Sequence, residues 1–309
     1  INQGFQDQKV FSNYGIILRD LGKLKEAEVC IRNAIKLNPN FSEAYSNLGI
    51  ILRDLGKLKD SELSCRKAIE IKPDFADAHL NLGIILKDLG KLQEAFDSYL
   101  KAIEINPKRS EIYPTITEFL KYSDPSKFNK SKLKAILSQL LEKENIPHND
   151  LYKVFNLIYK KELESDIKKL KLYVLKKEIF PIFLNDKIIF ESLKKIIIKD
   201  PEWEIILTHL RKDVCNLIAN QEGELTDWQV KLIIALAQQC FSNEYIYSIE
   251  LEETKSLDKI ITICKESKLT ETNLSVLACY LPLYKLLDQI PSIKDFKSIN
   301  HNFNELLKV

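Results

Sequence analysis

Residues 42–75 read SEAYSNLGIILRDLGKLKDSELSCRKAIEIKPDF, and residues 76–109 read ADAHLNLGIILKDLGKLQEAFDSYLKAIEINPKR. Residues 8–41 carry the same pattern, so three units of equal length follow one another along the chain. Small residues and prolines recur at the same place in each unit: Gly15, Gly49 and Gly83; Gly22, Gly56 and Gly90; Ala34, Ala68 and Ala102; Pro39, Pro73 and Pro107. A fixed period of this length indicates stacked structural units.

Each unit predicts two helices joined by a tight turn. In the second unit, Tyr45, Leu48, Gly49 and Leu52 fall on one face of a first helix, and Ser61, Cys65 and Ala68 form the matching face of a second. Gly49 lets the second helix pack closely, and Gly56 suits a left-handed turn. Pro73 prevents the second helix from continuing. The pattern resembles the tetratricopeptide repeat, a unit of two antiparallel helices.

The array is predicted to span residues 1–125, with units 8–41, 42–75 and 76–109 followed by a capping helix that starts near Ile112. Residues 1–7 would be the tail of an earlier unit. Residues 121–134 carry five lysines and one aspartate, which predicts a solvated linker, with an anionic partner as the alternative. The capping helix is needed because the end of a stack must cover its apolar face.

Residues 126–309 predict an all-helical domain of seven or eight helices in which the period of the repeats is absent. Cap-type residues suggest helix starts at Asn149–Asp150, at Asp200 before Pro201, at Thr226 with Gln229, and at Ser256. The predicted fold class is therefore all-α: a superhelical tetratricopeptide solenoid followed by an irregular helical domain.

Composition excludes several classes of protein. Apolar residues make up 45% and charged residues 29%, as in a globular chain that buries a core. The net charge of +2 argues against a dedicated nucleic-acid binder, and no apolar run is long enough to cross a membrane. The six cysteines form no C-x-x-C pair, which predicts reduced thiols and a cytoplasmic location rather than a disulfide framework or a zinc site.

Two residue types are unusually distributed. The chain begins with Ile1 and has no methionine, which suggests a fragment or processed product whose true start and any targeting signal are not visible. Seven of the eight glycines lie at or before Gly90. Loops that bind phosphates or dinucleotides need clustered glycines, so the rest of the chain predicts no such loop and no cofactor. No catalytic residue is assigned.

The first helices of the units are expected to line a concave surface, and four of their positions form ladders. Asn recurs at position 6, Ile at position 9, a basic residue at position 12 and Asp at position 13 of each unit. The candidate peptide-binding residues are Asn13, Asn47 and Asn81; Ile16, Ile50 and Ile84; Arg19, Arg53 and Lys87; and Asp20, Asp54 and Asp88. A carboxamide both donates and accepts, so an Asn ladder suits the backbone of an extended peptide, and an exposed Ile stripe marks an interface.

The segment from Ser42 to Gly49, SEAYSNLG, is very similar to the repeats of O-linked N-acetylglucosamine transferases. That resemblance implies that Asn13, Asn47 and Asn81 hold a peptide backbone. The alternative is that Asn serves the repeat architecture alone, since it is common at this position in repeats generally.

Chemistry-bearing residues are sparse elsewhere. His148, His209 and His301 are far apart and His79 occupies a packing position, so no metal site is predicted. Four cysteines, Cys215, Cys240, Cys264 and Cys279, lie in apolar helical runs and are expected in the core. Six aromatic residues are expected as core anchors: Trp203, Trp228, Tyr245, Tyr247, Tyr280 and Tyr284.

The stretches Ile234–Tyr247 and Leu277–Leu287 resemble a helical region of bacterial fusion proteins, in which repeats and this region precede an S-adenosylmethionine-dependent methyltransferase domain. The preferred prediction is a non-catalytic interaction module that binds a protein or peptide, but neither nucleic acid nor membrane. The alternatives are the recruiting arm of such a methyltransferase, an accessory arm of a glycosyltransferase, and a structural spacer. The oligomeric state is not predicted.

Overall fold

The structure is a computed structural model that describes residues 7–170, 182–221, 225–244, 249–266, 269–298, 303–304 and 307. The chain divides into two compact units, Ile1–Lys132 and Leu133–Val309. Every regular element within the described residues is helical, so the predicted all-α class is confirmed there. The predicted tail of an earlier unit lies, apart from Asp7, outside the described residues.

The first compact unit contains three helix pairs and one further helix. Their bounds are α1 Gln8–Asp20, α2 Leu24–Leu37, α3 Ser42–Asp54, α4 Leu58–Ile71, α5 Ala76–Asp88, α6 Leu92–Ile105 and α7 Ile112–Tyr122. Each pair corresponds to one unit of the sequence repeat, and each second helix also packs against the first helix that follows it. The predicted helix–turn–helix array is therefore confirmed.

The turn inside each unit has the predicted geometry. Gly56 has a φ of +75°, a left-handed conformation that side chains disfavour, and its backbone N–H bonds the carbonyl of Arg53 at 2.9 Å. A Cβ added to Gly49 would lie 2.4 Å from the sulfur of Cys65 on the facing helix. Gly49 thus permits the close approach of α3 and α4 on which the stacking depends.

The helix α7 packs on α6, at the end of the third unit where the sequence predicts a capping helix. Ile112, Ile116 and Phe119 of α7 are buried. The segment predicted as a solvated linker also packs on α6, because Phe128 is buried with its ring 4.7 Å from that of Phe96. The linker prediction is therefore wrong for Phe128, and also for Leu133, which is fully buried. The lysines of the segment reflect its exposed residues and give no sign of these two buried side chains.

The described helices of the second compact unit differ in length, and α8 begins just before the boundary between the two units. The bounds are α8 Lys130–Leu141, α9 Tyr152–Leu170, α10 Lys187–Lys195, α11 Pro201–Ala219, α12 Asp227–Ser242, α13 Leu251–Glu266 and α14 Glu271–Ala278. Short 3-10 turns lie at Pro125–Lys127, His148–Leu151, Ile182–Leu184, Leu283–Leu286 and Pro291–Asp295. The domain boundary predicted at residue 125 stays a prediction.

Two of the predicted helix starts are confirmed. Asp200 accepts the backbone N–H of Glu202 at 2.9 Å at the start of α11, and the backbone N–H of Thr226 bonds Gln229 at 2.8 Å at the start of α12. Both arrangements satisfy backbone N–H groups that have no partner within the helix.

The other two predicted starts are wrong. Asn149 lies inside a 3-10 turn ahead of α9, where its side chain accepts the backbone N–H of Ile197 at 2.8 Å. Ser256 lies inside α13 and its hydroxyl donates to Asn216 at 2.7 Å. In both cases the side chain hydrogen-bonds to a residue far away along the chain and does not cap the start of a helix.

The core of the second unit contains most of the predicted anchors. The four cysteines of its helices are buried, as predicted. Trp203 is fully buried with its ring 4.8 Å from that of Phe155, and Tyr280 is buried as well. Trp228 is half-buried, whereas Tyr284 is 56% exposed, so the core prediction is wrong for Tyr284. Tyr245 and Tyr247 lie outside the described residues.

Candidate functional site

A groove of about 560 Å³ lies along the first helices of the three units, α1, α3 and α5. It brings together six of the twelve candidate residues: Asn13, Asn47, Asn81, Ile16, Ile50 and Arg19. Six others lie outside its lining: Ile84, Arg53, Lys87, Asp20, Asp54 and Asp88. The volume is within the usual range for ligand sites, roughly 300–1,000 Å³.

The asparagines form a hydrogen-bonded series between neighbouring units. Nδ2 of Asn47 donates to the hydroxyl of Ser12 at 3.0 Å, and Nδ2 of Asn81 donates to Ser46 at 3.0 Å. The serines stand at position 5 of the preceding unit, so each bond crosses one unit boundary. A primary amide has a second N–H and a carbonyl oxygen, which keeps donor and acceptor capacity for a ligand.

Apolar side chains lie beside this series. Ile16 and Ile50 are half-buried, which agrees with the predicted partly exposed stripe. Phe41, Phe75 and Leu80 join them in the groove lining. The sequence analysis did not predict the two phenylalanines as groove residues. A signal for them was present, since both occupy position 34 of their units.

The charged ladders form ion pairs between units. Nε of Arg19 lies 2.7 Å from Oδ2 of Asp54, and Nε of Arg53 lies 2.5 Å from Oδ2 of Asp88. Each pair joins position 12 of one unit to position 13 of the next. These contacts give both ladders a role in joining the repeats, and a direct contact with a ligand stays a prediction.

A second series of ion pairs joins the units at the turns. Nζ of Lys57 lies 2.7 Å from Glu28, and Nζ of Lys91 lies 2.9 Å from Glu62. The hydrogen bond from Lys57 holds the pKa of Glu28 below its ordinary value, so this carboxylate stays charged at neutral pH.

Four further charged residues line the groove and were not predicted: Lys9, Glu43, Asp77 and Arg109. Arg109 forms an ion pair with Asp77, and the hydroxyl of Ser42 donates to Glu43 at 2.9 Å. Charges of both signs are thus present, and both arginines of the groove lining, Arg19 and Arg109, pair with neighbouring acids.

Three side chains of the kinds that catalysis or metal binding would use have a hydrogen-bond partner or a raised pKa. Nε2 of His79 lies 2.9 Å from the carbonyl oxygen of Pro73, and the packing role of this residue stays a prediction. Burial raises the pKa of the Cys65 thiol to about 12 and that of Cys215 to about 11, which keeps both protonated at neutral pH. Among the described residues, no group of three His, Cys, Asp or Glu side chains is arranged to bind a metal ion. His301 lies outside them.

Models of the tetratricopeptide repeat match all three units: one matches residues 42–75 and 76–109, and a second matches residues 9–41. No curated protein matches the chain. None of the helices that the structure describes combines the length and the apolar character needed to span a membrane.

Solved structures with a similar arrangement cover part of the chain. They include YrrB, described as a tetratricopeptide protein with an unusual peptide-binding site, at 20% identity over 51% of this chain and 78% of that chain, with a TM-score of 0.41. The tetratricopeptide domain of Arabidopsis OM64 is 22% identical over 38% of this chain and 96% of its own, with a TM-score of 0.36. A mutant O-GlcNAc transferase of Thermobaculum terrenum is 21% identical over 43% of this chain and 25% of its own, with a TM-score of 0.38.

Proposed function

We propose that the three tetratricopeptide repeats at residues 9–109 bind an extended segment of a partner protein in the groove formed by α1, α3 and α5. The observation that carries the proposal is the series of Asn13, Asn47 and Asn81 beside the half-buried isoleucines. An amide at the same place in each unit presents donors and acceptors at regular intervals, which suits the regular N–H and C=O groups of an extended backbone.

The hydrogen bonds between units support this role. Because Ser12 fixes one N–H of Asn47 and Ser46 fixes one N–H of Asn81, both amides are oriented before a ligand arrives. Oriented groups lose less side-chain entropy on binding, so a given contact adds more to affinity.

The groove favours a segment that is partly apolar and carries little charge. Arg19 and Arg109 already pair with acids of the array, so a charged ligand would have to compete with those pairs. Ile16, Ile50 and Phe75 supply apolar surface for side chains of the bound segment. We expect an affinity that depends weakly on salt, since screening acts mainly on exposed charges.

The proposal is tested by selecting binders from a display library of random short peptides and measuring the affinity of one selected peptide by calorimetry. The chain with Asn47→Ala and Asn81→Ala is expected to bind it about tenfold to hundredfold more weakly, since each lost hydrogen bond contributes roughly 1 kcal/mol. The matched control is Asn33→Ala, an exposed asparagine on α2 outside the groove lining.

Circular dichroism of the double variant verifies that the array remains folded, because the substitutions also remove two bonds between units. If the folded double variant binds the peptide as tightly as the Asn33→Ala control does, the asparagines serve the architecture alone and the proposal is wrong. An absence of any peptide that binds the groove would favour the structural spacer.

In this proposal the chain itself is a non-catalytic interaction module. The methyltransferase-arm and glycosyltransferase-arm alternatives rest on resemblance and stay predictions, as does the cytoplasmic location. Purified chain incubated with S-adenosylmethionine and protein substrates is expected to transfer no methyl group, and transfer would contradict the non-catalytic assignment.

A further inference from the structure

One edge of the groove is formed by position 2 of the three units. Lys9, Glu43 and Asp77 occupy this position, and all three line the groove. Each is the second residue of the first helix of its unit, so the three side chains lie in register along the edge. Glu43 and Asp77 are half-buried, whereas Lys9 is exposed. The partners of the two acids therefore decide which charge this edge offers to a ligand.

The acid of the third unit has a partner within the array. Asp77 forms an ion pair with Arg109, which occupies position 34 of the same unit and also lines the groove. Nε of Arg109 also lies 3.6 Å from Glu111, so two acids share this guanidinium. The pair of Asp77 and Arg109 shows which group a carboxylate at position 2 binds in this groove.

The acid of the second unit lacks that partner. Position 34 of this unit is Phe75, an aromatic residue where the third unit has Arg109. Glu43 accepts the hydroxyl of Ser42 at 2.9 Å, and among the described residues no lysine or arginine lies within ion-pair distance of it. The carboxylate of Glu43 is thus a half-buried charge in the groove lining without a counter-ion in the described part of the chain.

A half-buried carboxylate of this kind favours a cationic group of a ligand. Partial removal from water weakens its hydration, and a cation that donates hydrogen bonds to it offsets that loss. The N-terminus of α3 also stabilises Glu43, because this residue lies in the first turn of the helix. That effect equals only a partial charge, and the hydroxyl of Ser42 occupies one of several acceptor sites of the carboxylate.

The aromatic ring of Phe75 suits the same cation. Ring faces attract cations and stack on the planar group of arginine. Nζ of Lys72 lies 5.2 Å from the centroid of the Phe75 ring, which shows that a cation can reach it. Because Lys72 is exposed, this contact is weak, and a guanidinium that also binds Glu43 can replace it.

We infer that the groove selects a segment with one arginine, whose guanidinium binds the carboxylate of Glu43 and lies against the ring of Phe75. The ligand thus supplies to the second unit the partner that Arg109 supplies to Asp77 in the third. The residues beside the arginine are apolar, since Ile50 lines the same groove. This inference rests on the peptide-binding groove proposed above and adds the chemistry of its partner.

An acidic segment fits this groove less well. Of the cations in its lining, Arg19 and Arg109 already form ion pairs, and Lys9 is exposed. An ion pair formed with an exposed lysine adds little affinity because water and salt screen it. A ligand carboxylate beside Phe75 would also face the like charge of Glu43. The charges of the lining therefore favour a basic side chain.

The first test compares the peptides that bind the native chain with those that bind Glu43→Gln. A display library of random short peptides is selected on each chain in parallel. Arginine is expected to be enriched at one position of the peptides from the native chain and not of those from Glu43→Gln. The amide keeps an oxygen that accepts from Ser42, so the substitution removes the charge and preserves the shape. The matched control is Asp60→Asn, an exposed acid in the first turn of α4 outside the groove lining.

Calorimetry then measures what the guanidinium contributes. One selected peptide is compared with the same peptide carrying citrulline, a neutral residue of nearly the same shape as arginine. The native chain and Asp60→Asn are expected to bind the arginine peptide about tenfold more tightly. Glu43→Gln is expected to bind both peptides equally. Phe75→Arg is expected to do the same, because it builds the arginine of the third unit into the second and occupies Glu43.

Failure of this inference differs from failure of the proposed function. If the selected peptides bind through the asparagines but show no preference for arginine, only the inference is wrong. It is equally wrong if Glu43→Gln keeps the tenfold difference between the two peptides. If the chain with Asn47→Ala and Asn81→Ala binds both peptides as tightly as the native chain does, the proposed function is wrong and the inference falls with it.

Discussion

Glycine at position 8 determines how closely the two helices of a unit pack. Gly49 faces Cys65, and the equivalent Gly83 faces Tyr99, whose ring atoms would lie 2.7 Å from an added Cβ. The side chain opposite the glycine differs between units while the glycine remains. Close packing of the two helices therefore requires the absence of a Cβ at this position, whereas the residue that faces the glycine can vary.

The variant Gly49→Ala is expected to destabilise the array by up to about 2 kcal/mol. Overpacking against Cys65 costs roughly 1–3 kcal/mol, and the higher helix propensity of alanine returns about 1 kcal/mol. Urea denaturation followed by circular dichroism measures the change. In a Cys65→Ala background the cost is expected to fall by about 1 kcal/mol. If Gly49→Ala lowers the stability equally in both backgrounds, the contact with Cys65 is not the cause of the loss.

At the scale of elements, the end of the array is closed by α7 together with the segment that follows it. Phe128 packs on Phe96 and on Phe119, with ring centroids 4.7 and 5.6 Å apart. The sequence did not indicate that Phe128 packs in a core, because lysines surround it and a single aromatic residue gives no periodic signal. The same residue is an anchor in three dimensions because α6 and α7 place two aromatic rings beside it.

The variant Phe128→Ala is expected to lower the free energy of unfolding by about 3–5 kcal/mol, the usual cost of removing a buried phenylalanine. Tyr122→Ala is the matched control from the same segment. Tyr122 is 75% exposed, so its removal is expected to change stability by less than about 0.5 kcal/mol. Urea denaturation of both variants measures the difference. If Phe128→Ala changes the free energy of unfolding as little as Tyr122→Ala does, the segment is a solvated linker after all.

At the scale of the whole molecule, the two compact units are stabilised by different kinds of contact. The repeat array uses contacts that recur with its period. The second unit buries an ion pair between helices, Arg211 on α11 and Glu253 on α13, at 3.1 Å, and the hydroxyl of Tyr280 donates to the same carboxylate at 2.7 Å. The backbone N–H of Glu250 donates to the second carboxylate oxygen at 2.8 Å.

The variant Glu253→Gln is expected to destabilise the second unit by about 3–5 kcal/mol, because it removes the counter-charge that faces the buried guanidinium of Arg211. Glu252→Gln, an exposed neighbour on α13, is the control. Hydrogen exchange measured by mass spectrometry is expected to rise in α11 and α13 and to stay unchanged in α3–α6. If Glu253→Gln destabilises the second unit no more than Glu252→Gln does, the ion pair of Arg211 and Glu253 does not stabilise that unit.

Sequence alone determined the features that repeat or that act within a few residues. The period of the repeat, the turn at Gly56, the close contact at Gly49 and the cap at Asp200 all follow from spacing and local geometry. The same periodicity indicated the asparagines of the groove, since residues in register stack on one surface. Such features are predictable because the chemical cause and its effect lie close together along the chain or recur with a fixed spacing.

Only the tertiary structure decided which partners the remaining side chains take. It paired Arg53 with Asp88 across two units, placed Phe128 in a core, and joined Arg211 to Glu253 from separate helices. In each case the partner lies on another element, far away along the chain. Neither composition nor local propensity specifies such a pairing, because it depends on how whole helices pack and on which charges that packing removes from water.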